Sequence, residues 1–171
     1  NLTDEEFLDK LREFFVVTPK EDAYELNEVI VGKNWAFGLY LSGNAYKLRL
    51  KPEVHQLIDW PVPQEVKDLD LTVMHYFIFE KVLGISQEAQ RDYPGLSYVR
   101  NFTACVSQVD SGKARLALIT NDVSMEQVKR VCHSGAIMPQ KSTFFYPKVI
   151  CGFLFSSIKE NEFLTADTAC L

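Results

Sequence analysis

Residues 35–50 read WAFGLYLSGNAYKLRL, two runs of aromatic and aliphatic residues on either side of a short polar break. Side chains alternate in character along each run, which is typical of strands because successive strand residues face opposite sides of a sheet. The break is Ser42-Gly43-Asn44, and these residue types tolerate the positive φ of tight hairpin turns. We therefore predict a β-hairpin with strands at 35–41 and 45–50.

The second predicted strand separates apolar from charged side chains. Tyr46 and Leu50 flank Leu48 on one face, because side chains alternate with a period of two. The other face carries three cations: Lys47, Arg49 and Lys51. Antiparallel sheets commonly leave one face in water. We favour a solvated polar face, and a basic stripe that faces a ligand is the alternative.

Two capping boxes predict helix starts, because in each pair one side chain satisfies a backbone amide of the other residue. Thr3 with Glu6 begins a helix that ends at Pro19 at the latest, followed by a loop with a short helix or strand. Ser124 with Gln127 begins a helix that runs to residue 133, where Gly135 supplies the residue after its end.

The most apolar segment, residues 69–83, predicts a buried helix that is capped by Asp70 or Thr72 and ends at Gly84. His75 lies inside it. A single histidine on a buried helix is more often a hydrogen-bonded core residue than a ligand, because metal sites need further ligands close by. We therefore predict that His75 is hydrogen-bonded in the core.

Residues 96–102 and 114–120 predict two further strands that pair with each other, with a polar or helical connection between them, and residues 149–158 predict a central strand. Helices and strands alternate irregularly around a hairpin. The predicted fold class is therefore α+β, with helices packed on a mainly antiparallel or mixed sheet. The length fits a single domain over residues 1–158, with a frayed tail at 159–171.

Composition excludes several functional classes. The 171 residues carry 18 basic and 23 acidic side chains, a net charge of −5, which argues against binding to duplex nucleic acid or to an anionic membrane. The apolar runs are shorter than the ~20 residues of a membrane span. The four cysteines stand singly, as expected for reduced thiols in the cytoplasm. The chain begins at Asn1 on a helix start, as expected for part of a longer protein.

One segment concentrates groups that hold anions. Between Glu126 and Glu160 the chain has no acidic residue and five basic ones. Ammonium and hydroxyl groups are the donors that bind phosphate or carboxylate. The candidate ligand-binding residues are Lys141, Ser142, Thr143, Tyr146 and Lys148. The alternative is a structural crossover whose aromatic residues fill the core while the lysine heads reach solvent.

Motifs for self-contained catalysis are missing. Gly135 precedes Lys141-Ser142 at the spacing of a phosphate-binding P-loop, but Gln140 replaces the second glycine, and the segment follows a helix where a P-loop follows a strand. The sequence contains no dinucleotide, zinc-protease or nucleophile-elbow motif. We expect no cofactor or metal, and we assign no catalytic residue.

The run MPQKSTFFYPK at residues 138–148, followed by Gly152, resembles the M-P-P-K-S-T-Y-F-Y-P-K…G signature of the bacterial and archaeal proteins grouped as domain of unknown function 1015. The chain departs from that signature at Gln140, where the family usually has a second proline. It departs again at residues 100–103, where many members have a glycine-rich stretch. Roles tied to those glycines do not transfer to this chain.

Two further segments resemble the same family. Residues 37–48 resemble its F-G-x-Y…Y-x-L hairpin, and residues 69–85 resemble its L-D…L-G-I helix. The resemblance covers about residues 2–158. It implies the C-terminal part of a larger cytoplasmic protein whose upstream region carries a D-G-H-H-R motif similar to that of ParB-like domains and free-serine kinases.

Three functional hypotheses follow. The first is an accessory binding or interaction domain that holds an anionic small molecule, or the upstream domain of the same polypeptide, at the candidate residues. The second is a contribution of catalytic lysines to a transferase site in the upstream region. The third is a purely structural domain that supports that region.

Overall fold

The computed structural model describes residues 2–139 and 141–143. The strands of this part of the chain are β1 (Phe15–Lys20), β2 (Ala36–Leu41), β3 (Asn44–Leu50) and β4 (Leu116–Ile119). They form one antiparallel sheet in the order β1-β3-β2-β4. Its α-helices are α1 (Asp4–Phe14), α2 (Leu26–Ile30), α3 (Gln64–Lys67), α4 (Asp70–Val73), α5 (Phe102–Asp110) and α6 (Met125–His133). The predicted single-domain α+β class with an antiparallel sheet is confirmed.

The predicted hairpin is confirmed. β2 and β3 pair from Ala36 opposite Arg49 to Leu41 opposite Asn44. Ser42 and Gly43 form the turn with φ of 48° and 84°. Two consecutive residues with positive φ give a turn whose twist matches that of the strands.

The first helix begins as predicted, with both hydrogen bonds of the Thr3–Glu6 capping box present. It ends at Phe14, however, and the chain continues as a strand that we did not predict. β1 lies at the edge of the sheet and contains Pro19, which a strand tolerates there because an edge residue has no neighbour on its outer side. Phe15 continues the helical spacing of the apolar residues of α1, so the sequence pattern did not indicate that a strand begins there.

The main core lies between one face of the sheet and two helical segments, α1 and the apolar segment after residue 69. Phe15 lies at its centre, with its ring 6.0 Å from that of Phe37 and 6.2 Å from that of Phe77, both in edge-to-face geometry. A smaller core on the other face of the sheet packs α2 against β2 and β3 through Leu26 and Ile30.

The buried apolar helix forms as predicted, but it changes its winding. α4 continues directly into a π-helix at Met74–Val82, and Gly84 follows with φ of 71°. The predicted cap is wrong: the cap position is Leu69, without a side-chain hydrogen bond. Asp70 instead accepts hydrogen bonds from the backbone N–H of Trp35, at 2.7 Å, and from the side chain of Asn121, at 3.3 Å.

The predicted strand at residues 96–102 is wrong. The stretch is irregular up to residue 101, with Tyr98 and Val99 exposed, and Phe102 already begins a helix. The helical connection is confirmed as α5, which Asn101 caps by accepting from the N–H of Ala104. The predicted strand at 114–120 is confirmed as the shorter β4, but it pairs with β2.

The last predicted helix is confirmed as α6, with its Ser124–Gln127 capping box and with Gly135 at φ of 74°. The predicted central strand at 149–158 and the tail at 159–171 lie outside the described residues.

Cys105 and Cys132 are free thiols. Over residues 2–139 and 141–143, no helix combines the length and the apolar character needed to cross a bilayer.

Candidate functional site

A cavity of about 280 Å³ opens beside the junction of α4 with the π-helix. Its other walls come from the loop before α3, from a 3₁₀ turn at Ala89–Arg91 and from the loop around Tyr98. The segment after α6 lies at its mouth. The residues that line it are Trp60, Val62, Val66, Thr72, His75, Gln87, Glu88, Gln90, Arg91, Tyr98, Pro139 and Lys141.

Polar atoms without partners occur in three residues that line this cavity. Thr72 and Gln90 are 2% and 5% exposed, and they are the buried polar residues of the described chain. Thr72 Oγ1, Gln90 Oε1 and His75 Nε2 are buried and have no hydrogen-bond partner among the described residues. Buried polar atoms are normally paired, because leaving one unpaired costs about 1–3 kcal/mol. Each of the three atoms has almost no surface accessible to water, so they lie unpaired in the core beside the cavity.

The orientation of Gln90 is fixed by the backbone. Its amide nitrogen donates to the carbonyl of His75 at 3.1 Å and to the carbonyl of Ile85 at 2.9 Å. Both donor positions of the amide are therefore occupied, and Oε1 is turned away from these carbonyls. The side chain links the first turn of the π-helix to Ile85, three residues beyond its end.

His75 differs from the prediction. Its ring lies 5.0 Å from that of Phe79, and its Nε2 lacks the hydrogen bond that we expected of a core histidine. Burial lowers the pKa of His75 from 6.5 to about 4. The ring is therefore neutral at pH 7.

The apolar wall is held by hydrogen bonds to the π-helix. The Trp60 indole N–H donates to the Glu80 carboxylate at 2.9 Å. The Tyr76 hydroxyl donates to the carbonyl of Leu57 at 2.6 Å. These contacts fix the loop that carries Trp60 and Val62 against the cavity.

Charged groups occupy the outer part. Lys141 and Arg91 are exposed cations, and Glu88 is an exposed anion on the same rim. Lys141 has φ of 64°, and its ammonium lies 5.7 Å from the centre of the Tyr98 ring. The cavity lining thus carries two exposed positive charges and one exposed negative charge.

The candidate residues of the sequence analysis have different positions. Lys141 lines the cavity. The Ser142 hydroxyl donates to the carbonyl of Pro139 at 2.6 Å and so belongs to a turn, and Thr143 is exposed. Tyr146 and Lys148 lie outside the described residues.

The segment that carries Lys141 is anchored by a third core. Ala136 and Met138 pack against Val66, Leu69 and Val131, which lie on or beside α3 and on α6. This packing places the segment at the mouth of the cavity. Lys141 could be identified from the sequence because it lies in a segment without acidic residues. No motif or charge pattern in the sequence identified Thr72, Gln90 or Arg91 as residues of this site.

The basic face of β3 is a separate region. Arg49 is exposed and Lys47 is half-buried. Burial, and then the neighbouring charges of Lys33 and Arg49, hold the pKa of Lys47 below its usual value.

Lys51 lies beyond the end of β3, and its ammonium donates to the carbonyls of Arg12 and Glu13 at the end of α1. A cation there satisfies carbonyls that have no partner within the helix.

Metal-binding groups are absent from the described part of the chain: no three histidine, cysteine, aspartate or glutamate side chains come together there. Comparison of the chain with protein-family models, with curated proteins and with solved structures gave no match. The resemblance to domain of unknown function 1015 therefore stays a prediction.

Proposed function

We propose that this chain is an accessory binding domain whose cavity holds a small molecule by its phosphate or carboxylate group. The observation that carries the proposal is that Lys141 and Arg91, two exposed cations, line the same cavity. Charge-assisted hydrogen bonds from ammonium and guanidinium groups are strong and suit these anions. Glu88 offsets one of the two cations, which favours a ligand of low charge over a polyanion.

A thermal-shift experiment on the full chain tests this function. The probes are inorganic phosphate, glycerate and glycerol 3-phosphate. A ligand at about one hundred times its Kd stabilises the folded state by about 2.7 kcal/mol, which raises the Tm of a domain of this size by about 5–10 °C. We expect at least one probe to raise the Tm of the native chain.

Matched lysine variants locate the effect. Lys141→Met removes the rim cation, and Lys113→Met makes the same change at an exposed lysine outside the cavity lining. We expect the first variant to lose the ligand-induced shift and the second to keep it. Equal shifts in both variants, or no shift with any probe, would contradict the proposal.

A purely structural domain is the second candidate, and one observation favours it. Ala136 and Met138 anchor the segment before Lys141 in the third core, and the hydroxyl of Ser142 is used within the turn. If this candidate holds, Met138→Ala lowers the free energy of unfolding, whereas Lys141→Met changes neither stability nor ligand binding.

The resemblance to domain of unknown function 1015 extends the proposal to a longer polypeptide. In that setting the cavity would lie beside an upstream ParB-like or kinase-like domain, and Lys141 would contribute either to ligand binding or to a transferase site. The four singly placed cysteines favour a reducing compartment, the cytoplasm.

A further inference from the structure

Four cations lie close together on the face of the sheet that packs against α2. Lys47 and Arg49 are two positions apart on β3, so their side chains point to the same face. Lys20 on β1 pairs with Ala45, which makes it a diagonal neighbour of Lys47 on that face. Lys33 follows α2, and burial and then the charge of Lys33 lower the pKa of Lys47, so these two ammonium groups are neighbours. We call Lys20, Lys33, Lys47 and Arg49 the basic patch.

The basic patch has no acidic counterpart within residues 2–139 and 141–143. The ion pairs in this part of the chain use Arg12, His55, Lys81 and Arg115. The ammonium of Lys33 donates to the uncharged carbonyl of Val29. Like charges that face each other on a sheet destabilise it. An anionic partner would remove this repulsion.

The part of this sheet face that β1 provides is open to solvent. α2 packs on β2 and β3 through Leu26 and Ile30. On β1, Val16 is 53% exposed and Thr18 is also exposed, although both point to the same face as the basic patch. A partner on this surface therefore meets the cations beside an apolar and a hydroxyl side chain.

The backbone of β1 also presents a free edge. β1 is the outer strand of the sheet, and its neighbour is β3. The amide of Lys51 donates to the carbonyl of Phe14 at 3.0 Å, and hydrogen-bonded pairs alternate along an antiparallel ladder. The N–H and C=O groups of Phe15 and Val17 therefore point away from β3, and no strand of the described residues pairs with them.

We infer that the basic patch and the free edge of β1 bind an extended acidic segment of a partner protein, which adds to the sheet as a strand beside β1. Strand addition uses backbone hydrogen bonds for affinity and alternate side chains for specificity. Acidic residues at every second position of the added strand would face the basic patch. This surface is separate from the cavity, so the inference does not depend on the proposed function.

A long polyanion such as a nucleic acid fits this surface less well. β1 has six residues, and the chain as a whole carries a net charge of −5, so a polymer that extends beyond the basic patch meets an acidic protein. Phosphate groups accept hydrogen bonds but do not donate to the outward carbonyls of β1. A peptide backbone does both.

Fluorescence anisotropy of the full chain with the labelled peptide ETEVETE tests the inference. We expect this peptide to bind, and we expect the basic peptide KTKVKTK and a fully N-methylated form of ETEVETE to bind at least about ten times more weakly. The first comparison tests the charge, and the second tests the backbone hydrogen bonds. No binding by ETEVETE, or equal binding by either comparison peptide, overturns the inference, and so does tighter binding of an oligothymidylate of the same length.

Matched arginine variants locate the binding surface. Arg49→Glu reverses a charge of the basic patch, and Arg130→Glu makes the same change at an exposed arginine on α6. We expect the first variant to lower the affinity for ETEVETE about tenfold and the second to keep it, because like charges across an interface are unfavourable. Equal effects overturn the inference. Sedimentation of the chain alone tests a second copy as the occupant: a dimer that Arg49→Glu dissociates would replace the acidic partner and overturn the inference.

Discussion

The side-chain amide of Gln90 donates to the backbone carbonyl of His75, fifteen positions earlier, at 3.1 Å. This bond joins a 3₁₀ turn to the first turn of the π-helix. In a π-helix a carbonyl pairs with the amide five residues on, and such segments are frequent at functional sites. The hydrogen bond holds Gln90 and His75 together. Both residues line the cavity, and each has one buried side-chain atom without a hydrogen-bond partner among the described residues.

Gln90→Leu is expected to destabilise the chain by about 2 kcal/mol, because it removes one buried and one partly buried hydrogen bond and leaves the carbonyls of His75 and Ile85 without this donor. The measurement is the free energy of unfolding from urea denaturation. Gln87→Leu, at an exposed residue of the same cavity, is the control and should change stability by less than about 0.5 kcal/mol. Equal effects of the two substitutions would argue against the linking role of Gln90.

Thr72→Val is expected to raise the free energy of unfolding of the ligand-free chain by about 1 kcal/mol. The substitution keeps the shape of a buried side chain and removes a hydroxyl that has no partner among the described residues. The same urea measurement gives the value. A loss of stability would show that the hydroxyl is paired in solution.

Acid should destabilise the fold through His75. Its pKa is about 4 in the folded chain and 6.5 in the reference state, so the unfolded chain takes up a proton first as the pH falls. The contribution of this group is therefore complete above pH 6.5 and is lost progressively between pH 6.5 and pH 4, to a total of about 3 kcal/mol.

The variant His75→Gln isolates this contribution from that of the carboxylates. The difference in free energy of unfolding between the native chain and the variant should shrink by about 3 kcal/mol from pH 7 to pH 4. His133→Gln, at an exposed histidine, serves as the control. A difference that stays constant with pH would mean that His75 titrates normally in the folded state.

The sequence predicts the elements that depend on near neighbours. The turn at Ser42-Gly43, the capping boxes of α1 and α6 and the glycines after the buried helix and α6 all rest on residues within a few positions of each other. β1 was missed because Phe15 fits the helical spacing of α1 as well as the alternation of a strand. A local pattern cannot choose between them when the deciding contact is the pairing with β3, more than thirty residues away in the register Phe15 to Leu50.

The site depends on contacts that are distant in sequence. Lys141 was identified because acidic residues are missing around it, a feature of composition. Gln90 carried no signal in the sequence, and Thr72 was considered only as a helix cap. Both become unusual because the fold buries them without complete hydrogen bonding. The meeting of Thr72, Arg91 and Lys141 at one cavity is a result of tertiary packing.

Gly38→Ala tests how α2 is seated on the sheet. A Cβ at Gly38 would lie 2.9 Å from Cβ of Leu26 and 3.2 Å from Cβ of Ile119. Neither atom is the flexible end of a side chain, so the backbone of α2 must move outward to make room. We expect a loss of about 1–3 kcal/mol in the free energy of unfolding.

Amide hydrogen exchange should accelerate in α2 and stay slow in the π-helix, which belongs to the core on the opposite face of the sheet. Unchanged exchange in α2 would mean that this helix does not need close contact with Gly38.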